Sequence, residues 1–142
     1  MLKLAALDAE DLGVVSAQMQ DAVLKLGDMS WSPNKRQFAL VANRFAWDEG
    51  GPPQRRRTGL HFDRVTAVKT QHIRQGDPAA IMALLAITFE PGEAPSGTIR
   101  LSFSGGGVIR LAVECIEASL KDLGPAWPTP NAPRHPLDAE QG

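Results

Sequence analysis

The side chains able to do chemistry in this chain of 142 residues are few and far apart. His61 and Asp63 stand two apart, the spacing that puts both side chains on one face of a strand. Such a pair could serve as a general base with an orienting carboxylate. No nucleophile neighbours them in sequence, so a surface pair is the more ordinary reading. Cys115 is the one cysteine, which rules out a disulfide within the chain. It shares parity with Ile109, Leu111 and Val113, which points it into a core. Glu114 and Glu117 beside it would also oppose a thiolate. His61, His72 and His135 lack metal-ligand spacing, so neither a metal nor a cofactor is expected. Gly105-Gly106-Gly107 could cradle a phosphate, but phosphate loops lead into a helix. Here an alternating, strand-like run follows, so a hairpin turn is expected.

Charge provides the best lead. The net charge is −1, so no whole-protein field recruits nucleic acid or a membrane. Residues 34–76 nevertheless carry nine Lys and Arg against three acids, while both flanking thirds are acidic. Arg55, Arg56 and Arg57 leave a Gly/Pro loop, with Arg64, Lys69 and Arg74 following. Gathered on one face, they would bind phosphates or a nucleic-acid backbone. Alternation would instead scatter them over two faces, and no aromatic RNA-recognition motif is present.

The elements that would position these residues read as follows. Leu2, Leu4 and Ala6 suggest a short opening strand. Asp8 is placed as the N-cap of a helix over about 9–20, with Leu12, Val15, Met19 and Ala22 on one face. Apolar runs over 22–31 and 38–47 flank the turn Ser32-Pro33-Asn34-Lys35 and read as a hairpin. Leu60 and Phe62 share one parity and Val65 and Ala67 the other, so a bulge or bend is expected at Asp63-Arg64. Residues 84–89 alternate as a strand, although 79–85 could pass for helix. Ile99, Leu101 and Phe103 pair with Ile109, Leu111 and Val113 as a hairpin with one wet face. Ile116, Leu120 and Leu123 share a helical face, Glu117 and Lys121 are four apart, and Gly124-Pro125 reads as a helix stop. The expected fold is α+β: about seven antiparallel strands in a bent roll with a C-terminal helix, a pleckstrin-homology-like arrangement, preceded by a short strand and helix. Residues 1–127 form the single expected domain. Residues 128–142 hold four more prolines and read as a disordered tail.

The strings Arg57-Thr58-Gly59-Leu60-His61-Phe62-Asp63 and Val113-Glu114-Cys115-Ile116-Glu117-Ala118, the latter leading into Leu123-Gly124-Pro125-Ala126-Trp127, resemble a family of short alphaproteobacterial proteins catalogued as a domain of unknown function. The likeness extends over nearly the whole chain to Trp127 and implies a bacterial cytoplasmic protein. No activity, cofactor or catalytic residue comes with it. The expected role is therefore a non-catalytic protein-interaction or regulatory module that binds a protein partner or a second copy. An anion or nucleic-acid binder using the 55–74 region is the first alternative. A small enzyme around His61 and Asp63 is the second.

Overall fold

A computed structural model describes residues 1–74 and 76–129. In chain order the elements are β1 (Lys3–Ala6), α1 (Ala9–Met19), β2 (Ala22–Lys25), β3 (Met29–Ser32), β4 (Gln37–Phe45), β5 (Gln54–Phe62), β6 (Val65–Gln71), β7 (Ile81–Pro91), β8 (Gly97–Phe103), β9 (Val108–Val113), β10 (Ala118–Asp122) and β11 (Trp127–Pro128). All described pairings are antiparallel, in the order β1-β10-β5-β4-β2-β7-β8-β9-β6, with β11 on β5 and β3 on β4. The α+β class holds, with one α-helix among the described residues.

α1 forms where its cap and periodicity place it. The Asp8 carboxylate accepts from the Asp11 amide at 2.8 Å. Leu12, Val15 and Met19 are buried against the sheet, chiefly against β7. Ser16, on the same face, accepts from the Ile87 amide at 2.9 Å.

The expected bend falls at Asp63-Arg64, where Arg64 takes a left-handed φ of 60°. β5 runs through it into β6. Alongside, β9 passes through residues 114–117 into β10. The two bent chains stay tied at the corner: the Asp63 amide donates to Glu117 O at 2.8 Å, and the Glu114 amide to Arg64 O at 3.0 Å. β10 thus lies on β5 while β9 lies on β6, and the sheet folds round one core.

Three expectations are corrected: the C-terminal helix, the strand number and the place of Cys115. Residues 118–122 form β10, a strand between β1 and β5, and not a C-terminal helix. Ala118, Leu120 and Asp122 point inward while Ser119 and Lys121 point outward, so a period of two was present beneath the helical spacing. Strand pairing on both edges outweighs helix propensity there. The pleckstrin-homology-like reading rested on that plugging helix. Beyond the expected opening strand β1, the strand number is also higher than seven: β10 and β11 add to it, and the 22–31 run is split into β2 and β3 by a 3-10 turn over Leu26–Asp28. Cys115 shifts as well. It is half-buried, because the corner breaks the β9 parity and Ile116 takes the inward place. Most of the tail expected to be disordered, residues 130–142, lies outside the described residues. Its start does not: next to the Trp127–Arg55 pair, Pro128 pairs with Gln54, and the Thr129 amide bonds to Pro53 O at 3.1 Å.

Candidate docking face

β4, β5, β10 and β1 turn even-numbered residues toward the core and odd-numbered residues outward. The outward residues are small at the centre. Ala5, Ser119, His61 and Ala39 form one cross-strand row, and Lys3, Lys121, Gly59 and Val41 the next. The small side chains leave a depression of about 660 Å³ with an apolar floor, and Leu123 leans over Gly59 at its rim. Val41 also lines a second depression of about 360 Å³, which extends to Lys25, Asn43 and Arg57. A groove therefore runs across the sheet, with Lys3 and Lys121 at one end and Arg57 and Lys25 at the other.

At the lysine end the charges are uncompensated among the described residues, whereas Asp28 lines the far end beside Lys25 and Arg57. Lys3 and Lys121 face each other directly in the ladder, and neither is ion-paired to a described residue. Like charges in that position destabilise a sheet, by roughly 0.2–1 kcal/mol.

His61 and Asp63 come together as their spacing implied, with Nδ1 3.0 Å from Asp63 Oδ2. The approach is off the hydrogen-bonding direction, so it is electrostatic and not an aligned bond. Asp63 Oδ1 accepts from Gln37 at 3.0 Å. The register puts Ser119 directly opposite His61, a neighbour the sequence could not show. No hydrogen bond joins these two side chains. His61 lies on β5, which is paired on both sides, by β4 and by β10.

The five expected anion-binding residues do not share one patch. Arg55 points outward and donates to Asn43 O at 3.0 Å. Arg56 turns the other way and holds Glu49 with two bonds, the longer at 2.8 Å. Arg57 is exposed beside the groove. Arg64 sits at the corner against Glu117, 3.2 Å away. Lys69 lies on β6 opposite Arg110. No group of three or more His, Cys, Asp or Glu able to hold a metal occurs among the described residues. No helix among them is long and apolar enough to cross a membrane.

Beneath the groove lies a polar cluster that sequence reasoning missed. Arg44 and Asp122 are both 0 % exposed. Arg44 Nε and Nη2 grip the two carboxylate oxygens at 2.8 Å each. Thr58 donates to Oδ1 at 2.7 Å and the Leu2 amide to Oδ2 at 2.6 Å. Arg44 Nη1 reaches Asp48 at 2.8 Å. The cluster joins β1, β4, β5 and β10, the four strands that carry the groove. Its signal was parity: Arg44 continues the inward series Phe38, Leu40, Ala42.

Burial would raise the Asp122 carboxyl pKa, but Arg44, the Leu2 amide and Thr58 overcome it and hold the group at about 2, against an ordinary 3.8. The folded value lies below the unfolded one. The associated stability, about 2 kcal/mol, is therefore present above pH 4 and lost as pH falls toward 2. Urea unfolding across that interval should show the wild-type midpoint falling faster than that of Asp122→Asn, which has no carboxyl to protonate. Equal slopes would remove Asp122 from the acid response.

A family model described as a protein of unknown function, DUF2948, matches residues 2–135. No curated protein and no solved structure matches the chain.

Proposed function

We propose that this chain, which belongs to the DUF2948 family of proteins of unknown function, is a non-catalytic interaction module whose working surface is the groove across β1, β10, β5 and β4. The observation that carries the reading is the pair Lys3–Lys121, opposed at the edge of an apolar floor with no ion pair to a described residue. Like charges held together over apolar surface are relieved by a partner that brings carboxylates and covers the floor. The fitting occupant is an acidic amphipathic segment of a protein partner, with aliphatic side chains on Ala39, Val41 and Gly59 and carboxylates on the lysines. The exposed Arg57 extends the same complementarity along the groove.

A defined probe tests this. An amphipathic Leu/Glu peptide should bind the chain roughly tenfold or more tightly than its Leu/Lys counterpart. A photo-crosslinking residue at Ala39 should trap the Glu peptide, while one at the exposed Thr88 on β7 should not. Changing Lys3 and Lys121 together to Glu should abolish the preference. Equal binding of both peptides, or labelling at Thr88 as strong as at Ala39, rejects the face. In cells, the Ala39 probe separates a foreign partner from a second copy by the mass of the adduct.

The same pair sets a trade-off. Lys121→Glu replaces a repulsive cross-strand pair by an attractive one. It should raise the stability of the isolated chain by a few tenths of a kcal/mol while weakening the peptide complex. Loss of stability in this variant would show that Lys121 has a structural role.

A further inference from the structure

The outer surface of the other half of the sheet carries a second charge anomaly. In the ladder β6-β9-β8, Lys69 lies directly opposite Arg110, and Arg110 directly opposite Arg100. The three cations come from segments 31 and 10 residues apart, counted from Lys69 to Arg100 and from Arg100 to Arg110. Only the register brings them into one row. None makes an ion pair with a described residue. Arg110 meets an uncharged group instead: its Nη1 donates to Gln71 Oε1 at 3.1 Å. Beyond Arg100 the row ends at Thr88, a hydroxyl. Ala67, Ala112 and Thr98 flank it with short side chains and leave a shallow depression of about 170 Å³ beside Lys69 and Arg110.

Each directly opposed pair costs stability in an isolated sheet, and the two repulsions in this row add to one another. Ordinary solvation would be served as well by alternating charge. The strand spacing of about 4.8 Å sets the three heads side by side over about 10 Å. That span suits two or more adjacent phosphates better than one small anion, and arginine suits phosphate through its forked donors. The residues directly flanking the row are Ala67, Ala112 and Thr98 on one side and Gln71, Val108 and Ser102 on the other, none of them an aromatic platform for a base. Recognition here would rest on the phosphates alone.

We propose that the row Lys69–Arg110–Arg100 is a binding site for a ligand bearing consecutive phosphates. It lies on a different half of the sheet from the groove, shares no residue with it, and stands or falls separately. The phosphates could be those of a free polyphosphate chain or of a nucleic-acid backbone, and the test distinguishes the two.

Binding of fluorescein-labelled tripolyphosphate and of a labelled mixed-sequence oligonucleotide would be followed by anisotropy over a salt series. The wild-type chain should bind at least one probe at low salt, with log affinity falling linearly against log salt. Changing Arg100 and Arg110 together to Gln should weaken binding tenfold or more and reduce the salt slope by about one for each phosphate no longer neutralised. Lys3→Glu with Lys121→Glu, on the groove, should leave the slope unchanged. A preference for tripolyphosphate assigns the site to small polyphosphates, and a preference for the oligonucleotide to a nucleic-acid backbone. Circular dichroism melting of the Gln variant checks the fold, which relief of repulsion should leave at least as stable. Failure of the wild type to bind either probe at low salt overturns the proposal. So does binding that the double Gln variant retains in full.

Discussion

Asp122→Ala is expected to lower the stability of the chain by about 3–5 kcal/mol, among the largest effects available to a single substitution. The deletion leaves Arg44 fully buried with two of its donors unmet, and it strips the Leu2 amide and the Thr58 hydroxyl of their acceptor. Arg44 cannot escape by deprotonating, because a guanidinium stays charged at any practical pH. The damage should spread to β1, whose attachment depends on β10 and on the Leu2 hydrogen bond. Urea unfolding gives the loss directly. Hydrogen exchange should show the amides of residues 3–6 released first. Replacing Arg44 by Met and Asp122 by Leu together should recover most of the loss, since a buried pair exchanged for packed hydrophobes is often neutral. A loss below about 1 kcal/mol in Asp122→Ala would mean that water reaches Arg44 and that the cluster is not sealed.

Phe62→Ala should cost a similar amount, about 3–5 kcal/mol, for a different reason. Phe62 is the last residue of β5 before the corner and is 0 % exposed. It stands between Phe38 on β4 and Ala118 on β10, so its ring fills the angle where the sheet turns. The bent strands are held by hydrogen bonds on both sides, so the void cannot collapse easily and the cavity penalty is retained. The urea midpoint should fall with little change in the slope of the transition. Trp127→Ala, at a 38 % exposed ring, is the control and should cost far less. Comparable losses in the two variants would show that the corner relaxes around the missing ring.

These two residues mark how far the sequence could be read. The corner was legible because Leu60 and Phe62 share one inward parity and Val65 takes the other across Asp63-Arg64, and a parity change has few physical causes. Ala67, expected to follow Val65, instead turns outward, because a second irregularity between Val65 and Ala67 shifts the register of β6. The β8–β9 hairpin and the capped α1 were legible for the same reason: each is specified within about twenty residues. What depended on distant strands was not. β10 carries a helical spacing and an alternating one together, and only its neighbours β1 and β5 decide between them. Arg44 lay in plain sight on the inward parity of β4, but its partner is 78 residues away. The basic segment was found as a run of sequence, whereas the structure redistributes it. Arg57 goes to the groove, Arg56 to Glu49, Arg64 to Glu117, and Lys69 to a row with two arginines from other strands. Lys3, Lys121, Arg100 and Arg110 were ordinary surface charges until the register set them opposite one another.

The pairing of Lys3 with Lys121 also fixes when this molecule can be finished. A chain emerging from the ribosome displays β1 well before the strand it lies against, which is made more than a hundred residues later. Arg44, likewise, must wait in water for Asp122. During synthesis β5 has only β4 beside it, and its other edge stays open to any passing strand. Contacts of such long sequence separation close slowly. The growing chain is therefore most vulnerable to aggregation just before β10 is made, when most of the sheet is present and the strand between β1 and β5 is still missing.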